Sequence, residues 1–293
     1  MKGLNIIIAL VLFYSCGNSG KQSHENLQVD FKLPKDLKEC SGIAYDKNYN
    51  LIWAIADGGN PNVLYGFDAK GTISKQIGMD VKNNDWEDLT MDKAGNIYVG
   101  DFGNNDNIRT DLAIYKITDS LLQKGPKIKG VTKFYYPEQK DFPPKKKSLF
   151  YDCEAFFEMD GNFYLFTKNR SKDFDGTTFI YKIPNRSGHF AAQRIGEFKT
   201  CADYHTCCIT GAALSPDQTK MVLLGHSKIW LFENFRNDNF LGGKKTELDL
   251  KHYSQKEAVC FLTNDTLLIA DERTKKNYGN VYKVALADLK SKP

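Results

Sequence analysis

One short phrase recurs five times along this chain: an apolar residue, an aromatic, any residue, then another apolar residue. It reads Leu64-Tyr65-Gly66-Phe67, Ile114-Tyr115-Lys116-Ile117, Ile180-Tyr181-Lys182-Ile183, Ile229-Trp230-Leu231-Phe232 and Val281-Tyr282-Lys283-Val284. The aromatics are spaced from about 50 to about 66 residues apart, close to the repeat periods of propeller blades. A repeat of that length cannot bury its apolar face alone, so it must stack against copies of itself.

The rest of each unit keeps the same register. An apolar strand comes first, as in Gly42-Ile43-Ala44-Tyr45 or Ala258-Val259-Cys260-Phe261. A turn rich in Asp, Asn and Gly follows, as in Asp92-Lys93-Ala94-Gly95 or Asp160-Gly161. Such residues accept tightly turned backbone. A second apolar strand follows, and the recurring aromatic marks the third. No long stretch has helical periodicity. The pattern predicts an all-β fold, a β-propeller of five blades, each of four antiparallel strands. Outer strands are expected near residues 73–77, 131–136, 193–198 and 245–250. The fifth unit lacks room for its own, and the unassigned segment 27–33 is expected to close the ring on its outer edge. Six blades is the alternative, with irregular strands between Lys116 and Tyr151.

The 293 residues, 41% of them apolar, suffice for one large β domain over 27–293. The formal charge of +4 is modest, and the run Lys145 to Lys147 follows two prolines without interleaved aromatics, so nucleic acid is not an expected partner. At the start, Lys2 precedes an apolar run from Leu4 to Tyr14 and then Ser15-Cys16-Gly17. This is short for a membrane span and resembles a bacterial lipoprotein signal. That resemblance implies a signal peptide over 1–15, a lipid-modified Cys16 as membrane anchor, a flexible tether over 16–26, and delivery to the outer membrane, facing either the periplasm or the exterior. Six further cysteines allow 15 pairings. The favoured bridge is the local one, Cys201 to Cys207 or Cys208.

Polar residues recur with the blades. A glutamate leads the first strand of four units: Glu39, Glu87, Glu154 and Glu257. The loop after the second strand opens with Asp57, Asp101, Lys168-Asn169, His226 and Asp271-Glu272. Radial stacking gathers both sets at one mouth of the central channel. Converging carboxylates repel, so protons, a cation or neighbouring Lys and Arg must relieve them. Oxygen ligands suit a hard ion such as Ca²⁺, with roughly six to eight ligands. Glu39, Glu87, Glu154 and Glu257 are the candidate metal ligands. Asp57, Trp86, Asp101, Asn104, Asn105, Arg109, Asn169, His226 and Asp271 are the candidate ligand-binding residues. Trp86, Phe102, Tyr151 and Tyr204 are candidates to stack on a saccharide. The structural alternative is that each glutamate accepts backbone N–H groups from the next blade and locks the ring, with Lys168, Arg109, Arg170 and Arg273 as countercharges.

The segments Glu39-Cys40-Ser41-Gly42-Ile43-Ala44, Asp85-Trp86-Glu87-Asp88-Leu89, Gly100-Asp101-Phe102-Gly103-Asn104-Asn105 and Asp152-Cys153-Glu154-Ala155 together resemble exported bacterial propellers. These are related to the SdiA-regulated family and, more distantly, to gluconolactonase-like and strictosidine-synthase-like propellers of the NHL/TolB-like group. The resemblance implies a channel Ca²⁺ held by a Glu at the start of one inner strand, matched here by Glu39, with Asn169 standing for an Asn. The extra Glu87, Glu154 and Glu257 depart from that pattern. Two functions follow as expectations. The first is a lipid-anchored binding or scaffold protein taking a cation, a small or saccharide ligand, or a protein partner at the mouth. The second is a Ca²⁺-dependent lactonase or phosphoesterase, with Glu87, Glu154 or His205 as the candidate catalytic residue.

Overall fold

A computed structural model describes residues 27–118, 128, 130–273 and 279–290. The signal peptide, Cys16 and the tether lie outside the described residues. Alternating side chains decide how the strands layer. In β3 (Leu51–Ala56), Leu51, Trp53 and Ile55 face one neighbouring blade, while Ile52, Ala54 and Ala56 face the other. A strand buried on both faces reads as an unbroken apolar run, as these second strands do.

Five sheets result, each with a core of four antiparallel strands stacked from the axis outward. Blade one holds β2 (Cys40–Asp46), β3, β4 (Val63–Phe67) and β5 (Ile73–Gly78). Blade two holds β6 (Trp86–Met91), β7 (Ile97–Asp101), β8 (Ala113–Ile117) and β9 (Gly130–Tyr135). Blade three holds β10 (Asp152–Met159), β11 (Asn162–Lys168), β12 (Thr177–Pro184) and β14 (Gln193–Lys199). Blade four holds β15 (Gly211–Leu214), β16 (Lys220–Leu224), β17 (Lys228–Glu233) and β18 (Lys244–Asp249). Blade five holds β19 (Lys256–Thr263), β20 (Thr266–Asp271) and β21 (Asn280–Ala285). Its outer place is taken by β1 (Gln28–Lys32), which pairs with β21 and closes the ring. The five-blade expectation and the closing strand both hold. The added feature is β13 (Gly188–Ala191), which leaves blade three and pairs in parallel with β9 of blade two.

The inner strands β2, β6, β10, β15 and β19 contact one another round the axis. Five hydrophobic clusters each fill the space between two adjacent blades. Polar staples join the inner strands. Ser41 Oγ donates to the Trp86 carbonyl at 2.8 Å, Asp88 Oδ2 accepts from Phe156 N at 2.9 Å, and Thr210 Oγ1 donates to the Lys256 carbonyl at 2.6 Å. Among the described residues no helix is long and apolar enough to cross a membrane.

Candidate functional site

The site begins with a backbone irregularity repeated in four blades. Between β2 and β3 the pairing steps from Cys40–Ala56 to Gly42–Ile55, leaving Ser41 as an extra residue. The same step leaves Glu87 extra in β6, Glu154 in β10 and Glu257 in β19. A bulge turns the extra side chain out of the regular alternation. All four of these residues line one cavity of about 220 Å³. Asp57, Asn105, Lys168, Arg170, Gln255 and Glu272 complete its wall. Blade four has no such step, and Thr210 precedes its inner strand as a staple.

This register corrects the expectation for Glu39. Ser41, not Glu39, is the blade-one counterpart of the other three glutamates. Glu39 is exposed and accepts from Asn60 Nδ2 at 2.6 Å outside the cavity wall.

The carboxyls fall into three environments. Glu154 is ion-paired to Lys168 Nζ at 3.1 Å and to Arg170 Nη2 at 2.7 Å. Burial pushes its carboxyl up, but the two cations outweigh burial and hold it below the usual value. Its neighbour Asp152 accepts from Arg170 Nε at 2.6 Å and from Asn104 N at 2.7 Å. Burial and then the Glu154 charge push Asp152 up to about 8. Burial opposes the charge on Lys168, yet Glu154 and Glu257 hold its ammonium well above the usual range. Glu257 Oε1 meets His226 Nε2 at 3.2 Å.

The third environment has no such partner. One carboxyl oxygen each from Asp57, Asp85 and Glu87 lie within 4.8 Å of one another. Among the described residues no basic side chain is ion-paired to any of them. Glu87 is only 6% exposed, and among the described residues its carboxyl makes no hydrogen bond. Burial, then the charges of Glu154 and Asp57, push Glu87 well above the usual carboxylate range. Burial and then Asp85, Glu154 and Glu39 raise Asp57 to about 7. Burial also raises Asp85, against the opposing charge of Arg109. A second set of oxygens, from Glu87, Asp152 and Glu154, is equally close, but Lys168 and Arg170 already neutralise it. The donor set of the first cluster is all oxygen, which suits a hard divalent cation. A cation there would replace the protons that burial and mutual repulsion otherwise impose.

Other expected site residues have structural duties. Asp101 is fully buried, ion-paired to Arg109 at 2.9 Å, and accepts from Tyr115 Oη at 3.3 Å. Asp271 accepts from Tyr282 Oη at 2.6 Å and from Asn280 N at 2.6 Å. Asn104 accepts from Arg109 N at 2.8 Å and donates to the Tyr151 carbonyl at 3.2 Å, tying blade two to blade three. Asn169 caps its own loop by accepting from Ser171 N at 2.8 Å. Trp86 and Phe102 are core residues with no exposed surface, and Tyr151 is also buried in the core. None of these three faces a sugar. Tyr204 accepts from Arg170 Nη1 at 2.9 Å. The expected residues that line the cavity are Asp57, Glu87, Asn105, Glu154 and Glu257, with His226 behind Glu257.

His205 is exposed on the short helix α1 (Tyr204–Cys207) and its ring does not line the cavity. Its backbone carbonyl matters instead, because it meets His226 Nδ1 at 2.8 Å. The Cys201–Cys207 disulfide closes this small loop, as one of the two favoured pairings had it. Cys40, Cys153, Cys208 and Cys260 are free and buried. Of the loop-opening pair Asp271-Glu272 it is Glu272 that lines the cavity, and Asp85, which the sequence offers only as part of the segment before β6, joins Asp57 and Glu87 beside it. Glu272 is the first residue after β20, as Asp57 is after β3, so strand alternation was the available signal.

No protein-family model matches the chain, and no curated protein matches it. Among solved structures it is similar to a chain of a nidogen/laminin complex, at 13% identity and a TM-score of 0.48 over 80% of this chain and 73% of that one. It is similar to a catalytically inactive virginiamycin B lyase from Staphylococcus aureus with quinupristin, at 15% identity and a TM-score of 0.39 over 84% of this chain and 66% of that one. It is also similar to a glucose dehydrogenase, at 9% identity and a TM-score of 0.49 over 87% of this chain and 98% of that one. These likenesses concern the backbone and carry no site residue over to this chain.

Proposed function

We propose that this chain is a lipid-anchored envelope propeller that captures a divalent cation of the calcium type, and with it an oxygen-bearing ligand, at its acidic channel mouth. One observation carries the reading: Asp57, Asp85 and Glu87 converge within 4.8 Å, and among the described residues none of them is ion-paired to a basic side chain. Like charges at that distance cannot all ionise without a cation. Asp57, Asp85 and Glu87 would hold the ion, and the remaining cavity would take the ligand. The anchor rests on the segment Leu4 to Gly17 and its resemblance to a lipoprotein signal. Kinship with SdiA-regulated and gluconolactonase-like propellers belongs to the same proposal.

A hydrolytic reading is favoured by a specific contact, the His226–Glu257 pair on the same cavity. A hard cation at the carboxyl trio would polarise an ester, lactone or phosphoryl oxygen. The test of the binding reading is elemental analysis of the purified chain together with melting in Ca²⁺ and in chelator. Bound metal and a lower melting temperature in chelator are expected. A chain without metal that melts identically in both would overturn the reading. For the anchor, Cys16→Ser is expected to move the chain from the membrane to the soluble fraction; unchanged membrane association would refute it.

A further inference from the structure

His226 stands between a backbone carbonyl and a carboxyl, with one ring nitrogen toward each. The His205 carbonyl can only accept, so the 2.8 Å contact requires the proton of His226 on Nδ1. That leaves a lone pair on Nε2, which faces Glu257 Oε1 at 3.2 Å. A carboxylate also offers only lone pairs. Two lone pairs held at this distance repel unless a proton lies between them. The pair therefore holds one shared proton. Both partners are fixed by separate elements: His226 follows β16, and Glu257 is the bulged residue of β19. Lys256 Nζ donates to the His226 carbonyl at 2.8 Å, and the Tyr253 ring stands edge-on to the imidazole at 6.0 Å.

We propose that Glu257 is the general acid–base of this cavity, with His226 as the residue that positions it and shares its proton. Glu257 faces the cavity and His226 lies behind it. The charged and titratable groups acting on Glu257 are Lys168 from blade three, Glu272 from blade five, and the Cys208 thiol beside α1. Glu257 is not one of the three carboxyls of the candidate cation site. The proposal rests on the hydrolytic reading above, and the step is given for a carboxylic ester or lactone, one of the substrates that reading allows. In the step, the oxygen of water bonds to the carbonyl carbon and one water proton passes to Glu257. The pair then holds two protons. As the bond from carbon to the leaving oxygen breaks, that oxygen takes one proton from Glu257. The products are an acid and an alcohol, and the pair returns to one proton.

Two measurements on the full chain test this. The first is the imidazole ¹⁵N spectrum of His226, assigned by through-bond correlation. A proton-bearing Nδ1 is expected, with Nε2 displaced from the value of a bare ring nitrogen and moved again by Glu257→Gln. A bare Nε2 that Glu257→Gln leaves untouched would overturn the proposal, and the wild-type spectrum alone shows whether Nε2 is bare. The second is turnover of a lactone and aryl-ester panel in Ca²⁺. Glu257→Gln is expected to lower kcat by at least about 100-fold, with KM and Ca²⁺ uptake little changed. Full turnover by Glu257→Gln would refute the acid–base role and spare the hydrolytic reading. Loss of Ca²⁺ uptake in Glu257→Gln would make Glu257 a cation ligand and also refute it. No turnover by the wild type would remove the hydrolytic reading and this role together, whatever the spectrum showed.

Discussion

Asp85 is pressed between two glycines, and that contact can be tested residue by residue. A Cβ on Gly58 would lie 2.4 Å from Asp85 Oδ1, and one on Gly103 would lie 2.1 Å from Glu87 Oε1 and 2.5 Å from Asp85 Oδ2. Gly103→Ala must therefore displace two of the three carboxyls of the candidate cation site. It is expected to weaken Ca²⁺ binding by about 10- to 100-fold, the range typical for disturbing the groups that orient metal ligands. Calorimetric binding to the variant checks this, and unchanged affinity would place the ion elsewhere. The same carboxyls set a pH dependence. Asp57 is raised to about 7 and Glu272 to about 8, in each case by burial first and neighbouring carboxyls next. Between about pH 4 and pH 8 the folded chain thus binds more protons than the unfolded chain, so this cluster's contribution to stability is full at the acid end and falls as pH rises. Glu154, held low by its cations, acts in the opposite sense only below that window. Melting in chelator is expected to decline from pH 5 to pH 8. The gain from Ca²⁺ is expected to grow over the same range, because the ion displaces protons. A melting temperature in chelator that rises with pH would contradict the protonated cluster.

The strands explain why part of this was legible and part was not. The recurring aromatics Tyr65, Tyr115, Tyr181, Trp230 and Tyr282 do lie on the third strands, because an apolar phrase repeated in register has to stack on itself. The closing strand was legible for a related reason: the last blade lacked an outer strand and the segment before the first blade had no partner. Phe31 on β1 now packs on Phe67 of blade one, with ring centroids 6.4 Å apart. Phe31→Ala is expected to cost about 3 kcal/mol, as for other buried Phe truncations, read by denaturant unfolding. A loss under about 0.5 kcal/mol, the ordinary range of a surface change, would deny β1 its role in closing the ring. The bulges were not legible, since an extra residue shows only against the register of its partner strand. That is why Glu39 was aligned with Glu87, although Ser41 occupies the place. Asp101 and Asp271 misled for a local reason. Each follows the alternation of its strand away from the cavity and accepts from the blade's own tyrosine, Tyr115 or Tyr282. The parallel strand β13 carries no turn or period signal that distinguishes it from an ordinary loop excursion.

At the scale of the whole propeller, chain direction fixes which face is which. β19 begins at the acidic mouth, β20 returns to it, β21 runs away from it, and β1, antiparallel to β21, starts at the far face. With the lipid proposed at Cys16, 11 residues before Leu27, the fully extended chain between them spans at most about 40 Å. The acidic mouth would then face away from the membrane. On anchored protein, a lipid-borne quencher is expected to dim a fluorophore at Lys93 on the far face more than one at Asn60 beside the mouth. The reverse order would refute this orientation. Whether the mouth is a cation site is measured most directly by isothermal titration of Ca²⁺ into the metal-stripped chain, wild type beside Asp57→Asn/Glu87→Gln. One ion per chain is expected for the wild type, with no measurable uptake by the double variant. A wild type that takes up no ion, or a double variant that binds as the wild type does, would contradict a cation site at the mouth.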